Sequence, residues 1–79
     1  MNPEQHKLKL TAVFEPEAEG GFTCRFEELP EIFSEGEIVD EARANLWDAL
    51  EHVTAYHREE ARKSAISGAV REGLQLAAT

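Results

Sequence analysis

The hydrophobic period of this chain changes once, and that change constrains the fold more than any other feature. Before Gly36 the apolar residues alternate with polar ones, and after Ile38 they recur at intervals of three and four. A period of two is typical of half-buried strands, and a period near 3.6 is typical of a helix with one apolar face. The sequence therefore predicts an α+β fold, a small antiparallel sheet with one long helix across one face.

Three short strands are predicted in the first half of the chain. The first covers residues 7–14 and is followed by a loop over residues 15–21, where Gly20 and Gly21 provide positive φ angles. The second strand covers residues 22–26, and a third, with the brevity and charge of an edge strand, covers residues 32–35. The residues expected to point inward are Leu8, Leu10, Ala12 and Phe14 in the first strand, and Phe22, Cys24 and Phe26 in the second.

One amphipathic helix is predicted over residues 38–63. Trp47 lies off its apolar stripe, so two interpretations stay open: a core residue at the helix edge, or an exposed anchor for another subunit. The stripe ends at Tyr56, which is expected in the core, and residues 74–76 alternate again as in a last short strand. The stripe consists of Val39, Ala42, Leu46, Ala49, Leu50, Val53 and Tyr56.

The length of the chain predicts one domain, residues 1–79, that needs extra stabilisation. A chain of 79 residues buries only about 60% of the surface exposed by its unfolded form. With a single cysteine it has no disulfide to help, so we expect a homo-oligomer, a dimer or a tetramer. The lone thiol favours the cytoplasm. The absence of an apolar run near 20 residues predicts that the chain does not associate with membranes.

Acidic residues are concentrated in one segment of the chain. The net charge is −8, and between Phe14 and Glu41 the only base among the acids is Arg25. Direct nucleic-acid binding is disfavoured, because cationic side chains supply most of that affinity. A basic protein partner fits this charge, since complementary fields speed encounter and select partners. A solvated acidic surface with no partner fits it equally well.

No residue pattern points to catalysis or to a cofactor. The carboxylates do not converge in the sequence, and His52 and His57 are five residues apart, which separates them on a helix by about 140°. Cys24 alternates with Phe22 and Phe26 and is expected to be a small buried residue. We therefore expect no enzyme activity, no metal and no cofactor.

Several short motifs in the same order resemble the HicB-like antitoxin family. The resemblance implies a partial RNase H-like fold of the type β-β-β-α-β, often dimeric. Three positions depart from the family pattern, which has proline at Glu27, glycine at Glu31 and a Ser or Thr helix cap at Ile38. The matching residues are Glu19-Gly20-Gly21-Phe22, Phe26, Glu28-Leu29-Pro30, Ser34-Glu35-Gly36-Glu37, Glu41-Ala42, Asn45-Leu46 and Asp48-Ala49-Leu50.

The resemblance implies a binding function. HicB proteins bind HicA toxins, which are small basic ribonucleases, and many carry a further DNA-binding domain. The residues after position 63 are expected to be too few for that domain. An orphan self-associating module and a vestigial Mg-dependent nuclease remain as alternatives. The residues expected to contact a basic partner are Glu27, Glu28, Glu31, Glu35, Glu37 and Trp47.

Overall fold

The computed structural model of the protein describes residues 8–75. Three strands are followed by one helix: β1 (Ala12–Pro16), β2 (Phe22–Phe26), β3 (Phe33–Gly36) and α1 (Val39–Lys63). The strands form one antiparallel sheet in the order β1-β2-β3, and α1 packs on it. The predicted α+β architecture, with a small antiparallel sheet and one long helix, is confirmed.

The core lies between one face of the sheet and the first half of α1. Five residues are buried among those described, three from the sheet side and two from the helix. Burying so few apolar side chains removes little surface from water, so the hydrophobic stabilisation of this core is small. The five are Cys24, Phe26, Ile32, Ala42 and Leu46, with Leu10, Ala12, Phe14, Phe22, Leu29, Ala49, Leu50 and Val53 packed around them.

β1 begins and ends later than the sequence pattern predicts. The predicted strand over 7–14 is observed as Ala12–Pro16, and it continues into the predicted loop. Backbone bonds from Glu27 to Thr11 (2.8 Å) and from Glu17 to Gly21 (3.0 Å) fix the register with β2. In an antiparallel pair the bonding direction alternates, so the backbone of every second residue, including Pro16, faces the free edge. Proline fits there because no ladder bond needs its missing N–H.

β3 forms the other edge of the sheet. The bond from the Phe26 amide to the Ile32 carbonyl, 3.2 Å long, makes these residues a hydrogen-bonded pair. By alternation, the backbone groups of Phe33 and Glu35 point away from β2. Within residues 8–75, both edges of the sheet therefore carry backbone groups that no neighbouring strand pairs, those of Ala12 and Phe14 on β1 and of Phe33 and Glu35 on β3.

The helix approaches β3 most closely at Gly36. A Cβ atom at this position would lie 2.5 Å from the Ala42 nitrogen and 2.8 Å from its Cα. α1 begins without a side-chain cap at Ile38, as the sequence predicts. The Glu41 carboxylate accepts a hydrogen bond from the Glu37 amide at 2.9 Å, which satisfies one donor beside the helix start.

The second half of α1 extends past the sheet. A helix of 25 residues is about 38 Å long, whereas a five-residue strand spans about 17 Å. Val53 is the last helical residue packed on the core. The prediction that Tyr56 lies in the core is therefore wrong, because its side chain is 62% exposed. Leu8, predicted to point inward, is also exposed.

The segment after α1 has no regular secondary structure within the described residues. Ile66, Val70 and Leu74 are all exposed in it. The strand predicted over residues 74–76 is absent at Leu74 and Gln75, and Leu76 lies outside the described residues.

Candidate protein-binding surface

The face of the sheet that α1 does not cover is referred to as the open face. The strand registers place Arg25 between Val13 and Phe33, and Thr23 between Glu15 and Glu35. Arg25 is paired with Glu15 through Nη1 and Oε1 at 2.6 Å. A shallow hollow of about 500 Å³ lies along β2 and β3 on this side. The open face consists of Val13, Glu15, Thr23, Arg25, Phe33 and Glu35.

Phe33 is the most prominent apolar residue of the open face. Its side chain is 69% exposed, although it stands on a regular strand. Glu35 shares its face, and Glu31 and Glu37 flank the strand at its two ends, all of them exposed. β3 thus presents an aromatic ring among three carboxylates, beside unpaired backbone groups; this strand and these four side chains are called the β3 edge.

The predicted partner-binding acids form two groups. Glu27, Glu28 and Glu31 lie in the corner between β2 and β3. Glu35 and Glu37 lie at the far end of β3, where they line a shallow groove of about 300 Å³ together with Glu17, Glu41 and Asn45. Exposed carboxylates repel one another only weakly in water. Together they give this part of the surface a negative potential that attracts a cationic surface.

Glu28 differs from the other acids because its carboxylate is already bound. Its two oxygens accept hydrogen bonds from the Thr11 amide at 2.7 Å and the Thr11 hydroxyl at 2.8 Å. These bonds lower the pKa of the Glu28 carboxyl. Since Thr11 precedes β1, Glu28 continues the β1–β2 contact beyond the strand ends.

Trp47 lies at the edge of the core and is half exposed. Its side chain is 52% exposed, and its ring packs edge-on against Phe26 with the centroids 5.8 Å apart. Because α1 and the open face lie on opposite sides of the sheet, Trp47 is separated from Phe33 and Glu35. The structure therefore does not gather the predicted contact residues on one surface.

The side chain of Asn45 bonds to β3. Its side-chain amide donates to the Glu35 carbonyl at 2.8 Å. That carbonyl belongs to the free edge of β3, so α1 itself satisfies one of the edge acceptors. Asn45 and Gly36 together fix the helix to the β3 side of the sheet.

Cys24 is buried as predicted, with 2% of its surface exposed. Its Sγ donates to the Ala42 carbonyl at 3.3 Å, and burial raises the pKa of the thiol. A protonated, inaccessible thiol is a poor nucleophile. The side chain of His52 is exposed, and its Nδ1 lies 2.7 Å from the Asp48 carbonyl, a local helix contact.

Across residues 8–75, no three His, Cys, Asp or Glu side chains come together in a way that would hold a metal ion. The part of the chain that the structure describes also has no helix long and apolar enough to cross a membrane.

The chain matches no protein-family model, and comparisons with curated proteins and with solved structures also find no match. The geometry of the surface is therefore the only basis for a functional assignment beyond the resemblance given above.

Phe33 is the exposed aromatic residue of this surface that the sequence analysis did not single out. Its signal was present, since Ile32 and Phe33 are adjacent and only one of two neighbours on a strand can face the core. Ile32 is buried at 3% exposure and Phe33 points outward.

Proposed function

We propose that this protein is a HicB-like antitoxin-type binding protein of the cytoplasm that sequesters a small basic ribonuclease of the HicA type. It acts by binding, without enzyme activity of its own. The observation that carries the proposal is the β3 edge, where Phe33 is exposed among Glu31, Glu35 and Glu37 beside unpaired backbone groups.

The β3 edge combines three properties that favour a cationic protein. Unpaired backbone groups on an edge strand accept an added strand from a partner. An exposed aromatic ring supplies the apolar anchor on which binding energy concentrates. The surrounding carboxylates raise the rate of encounter with a basic surface and disfavour acidic ones.

The remaining predicted contacts have unequal parts in this proposal. Glu27 lies beside Glu31 in the corner and extends the same negative field. Glu28 contributes charge, but its oxygens are bound to Thr11. Trp47 lies on the helix side, so a partner that reaches it has to wrap around the sheet.

The test measures binding of a HicA-type toxin to the purified full chain by calorimetry at low and high salt. The double variant Glu31→Lys/Glu35→Lys should weaken binding by ten- to a hundredfold at low salt, and Phe33→Ala by a similar factor. The matched control is Asp48→Lys/Glu51→Lys, which makes the same charge change at exposed positions of α1. Equal losses in both double variants would show that only net charge matters. Unchanged affinity in Phe33→Ala would remove the β3 edge from the proposal.

A second candidate function, self-association into a dimer or tetramer, is favoured by the exposed surface of the chain. Among the described residues, Phe33, Trp47 and Tyr56 are exposed, and the outer sides of β1 and β3 pair with no further strand. A standard interface buries about 800 Å² on each partner. Sedimentation of the native protein tests this, and a mass of 8.8 kDa at all concentrations would exclude it.

A further inference from the structure

We infer that the free edge of β1 pairs with the same edge of a second copy, antiparallel and centred on Val13. Two three-stranded sheets then join into one sheet of six strands. The inference rests on the proposed self-association and is independent of the basic partner.

The backbone of β1 permits this pairing in one favourable register. The free edge carries the N–H and C=O groups of Ala12 and Phe14. If Ala12 faces Phe14 of the second copy, all of these groups are used, and Val13 faces Val13 across the two-fold axis. In this register Pro16 faces Leu10, which lies outside β1. Shifting the register toward the C-terminus puts Pro16 opposite Ala12, inside the paired strands, where one bond of the pair is lost at each end because proline has no N–H.

The side chains of β1 agree with the same register. On the open face the two Val13 side chains meet at the centre of the pair. Three rungs beyond the Ala12–Phe14 pair, and outside β1, the same register brings Lys9 opposite Glu17 of the second copy. Opposite charges on facing strands stabilise such a pair, and the two-fold axis creates this contact twice.

The β3 edge is unsuited to the same contact. The equivalent antiparallel pair on β3, with Phe33 facing Glu35, is centred on Ser34 and would place Glu31 opposite Glu37 of the second copy; like charges directly opposite each other destabilise a sheet. α1 also bonds to this edge through Asn45 and the Glu35 carbonyl. At β1 the guanidinium of Arg43 lies 5.5 Å from the centroid of the Phe14 ring, a contact with a side chain and not with the strand edge.

Cross-linking tests the two-fold axis directly. In an antiparallel sheet, residues of a non-hydrogen-bonded pair have Cα atoms about 4.5 Å apart, which suits a disulfide. Val13→Cys should therefore oxidise to a covalent dimer under mild conditions. Glu35→Cys, on the same open face but on the other edge strand, is the matched control and should stay monomeric on a denaturing gel.

A charge swap gives a second, reversible readout. Lys9→Glu should raise the dimer dissociation constant about fivefold, Glu17→Lys should do the same, and the double variant should restore it. A native dimer in which Val13→Cys does not cross-link and the double variant shows no rescue would overturn the β1 contact, while self-association would stand. A native monomer at millimolar concentration would overturn both.

Discussion

The two edges of the sheet have the same kind of unpaired backbone but different surroundings. At β3 the helix packs on Gly36, Asn45 bonds to an edge carbonyl, and carboxylates flank Phe33. At β1 the Arg43 guanidinium lies over the Phe14 ring, and the nearby charges include both signs. The two edges therefore differ in the helix contacts and the charged side chains beside them, more than in their backbone hydrogen-bonding groups.

The largest expected effect lies where α1 meets the β3 edge. Gly36→Ala would place a methyl group against the backbone of Ala42, so the helix must move. We expect a loss of about 2–3 kcal/mol in the free energy of unfolding, measured by urea titration. Gly73→Ala is the control, since no atom lies within 4 Å of its added Cβ. Similar results for the two variants would show that the close contact at Gly36 does not hold the helix.

A smaller loss is expected from the hydrogen bond that ties α1 to the same edge. Asn45→Ala removes the donor to the Glu35 carbonyl, which should cost about 1 kcal/mol in the same titration. Glu51→Ala, an exposed position on the same helix, should change stability by less than about 0.5 kcal/mol. If Asn45→Ala and Glu51→Ala change the free energy of unfolding equally, the hydrogen bond from Asn45 to the Glu35 carbonyl does not contribute to the difference between the two edges.

The corresponding change on the β1 side should matter less. Arg43 contacts the Phe14 ring and pairs with Asp40 at 2.9 Å, but its side chain is 51% exposed. We expect Arg43→Ala to cost about 0.5 kcal/mol, because exposed ion pairs and cation–π contacts are weak. Arg43→Met, which keeps the aliphatic stem, should be closer to the native protein. A loss larger than that of Asn45→Ala would reverse the proposed order of the two edges.

The smallest effect concerns pH at the start of β1. Thr11 lowers the pKa of Glu28 in the folded chain, so the ionised form is stabilised by folding. This contribution is present above the unfolded pKa of about 4.3 and is lost as pH falls through the folded pKa. In Glu28→Gln the free energy of unfolding should therefore fall less steeply than in the native protein as the pH is lowered into the acidic range. Glu31→Gln serves as the control, and an NMR titration of the carboxyl carbons identifies the group directly.

The sequence predicted the main elements because each has a clear hydrophobic period. Phe22–Phe26 was predicted with its observed bounds, and the helix within one residue of its observed start. Phe22, Cys24 and Phe26 face the core as expected. Local period was sufficient here because the strands are short and a single helix covers one face.

The errors arose where a local pattern depends on distant geometry. Tyr56 continues the apolar stripe, but whether a stripe is buried depends on where the sheet beneath it ends. The sequence places Pro16 in a loop because proline cannot donate a ladder hydrogen bond. Only the pairing of β1 with β2 shows that its nitrogen faces the free edge, where no donor is needed. The partner of Asn45 likewise depends on the position of α1 over β3, which no sequence period specifies.

The site was less predictable than the fold. Acid content indicated a negative surface, but it did not separate the bound Glu28 from the free carboxylates or reveal Phe33 as the exposed ring. Those distinctions come from the alternation of neighbouring side chains and from a contact seventeen residues apart in sequence.

The length of α1 has a consequence for the time scales on which this protein opens. Within the described residues, nothing from the sheet packs against the turns of α1 beyond Val53. Their amides are therefore protected only by the hydrogen bonds of the helix itself. We expect them to exchange with deuterium orders of magnitude faster than the amides of the first half. Trypsin should cut after Arg58 and Arg62 while leaving the sheet and the first turns of the helix intact, and a bound partner that covers this half would slow both processes.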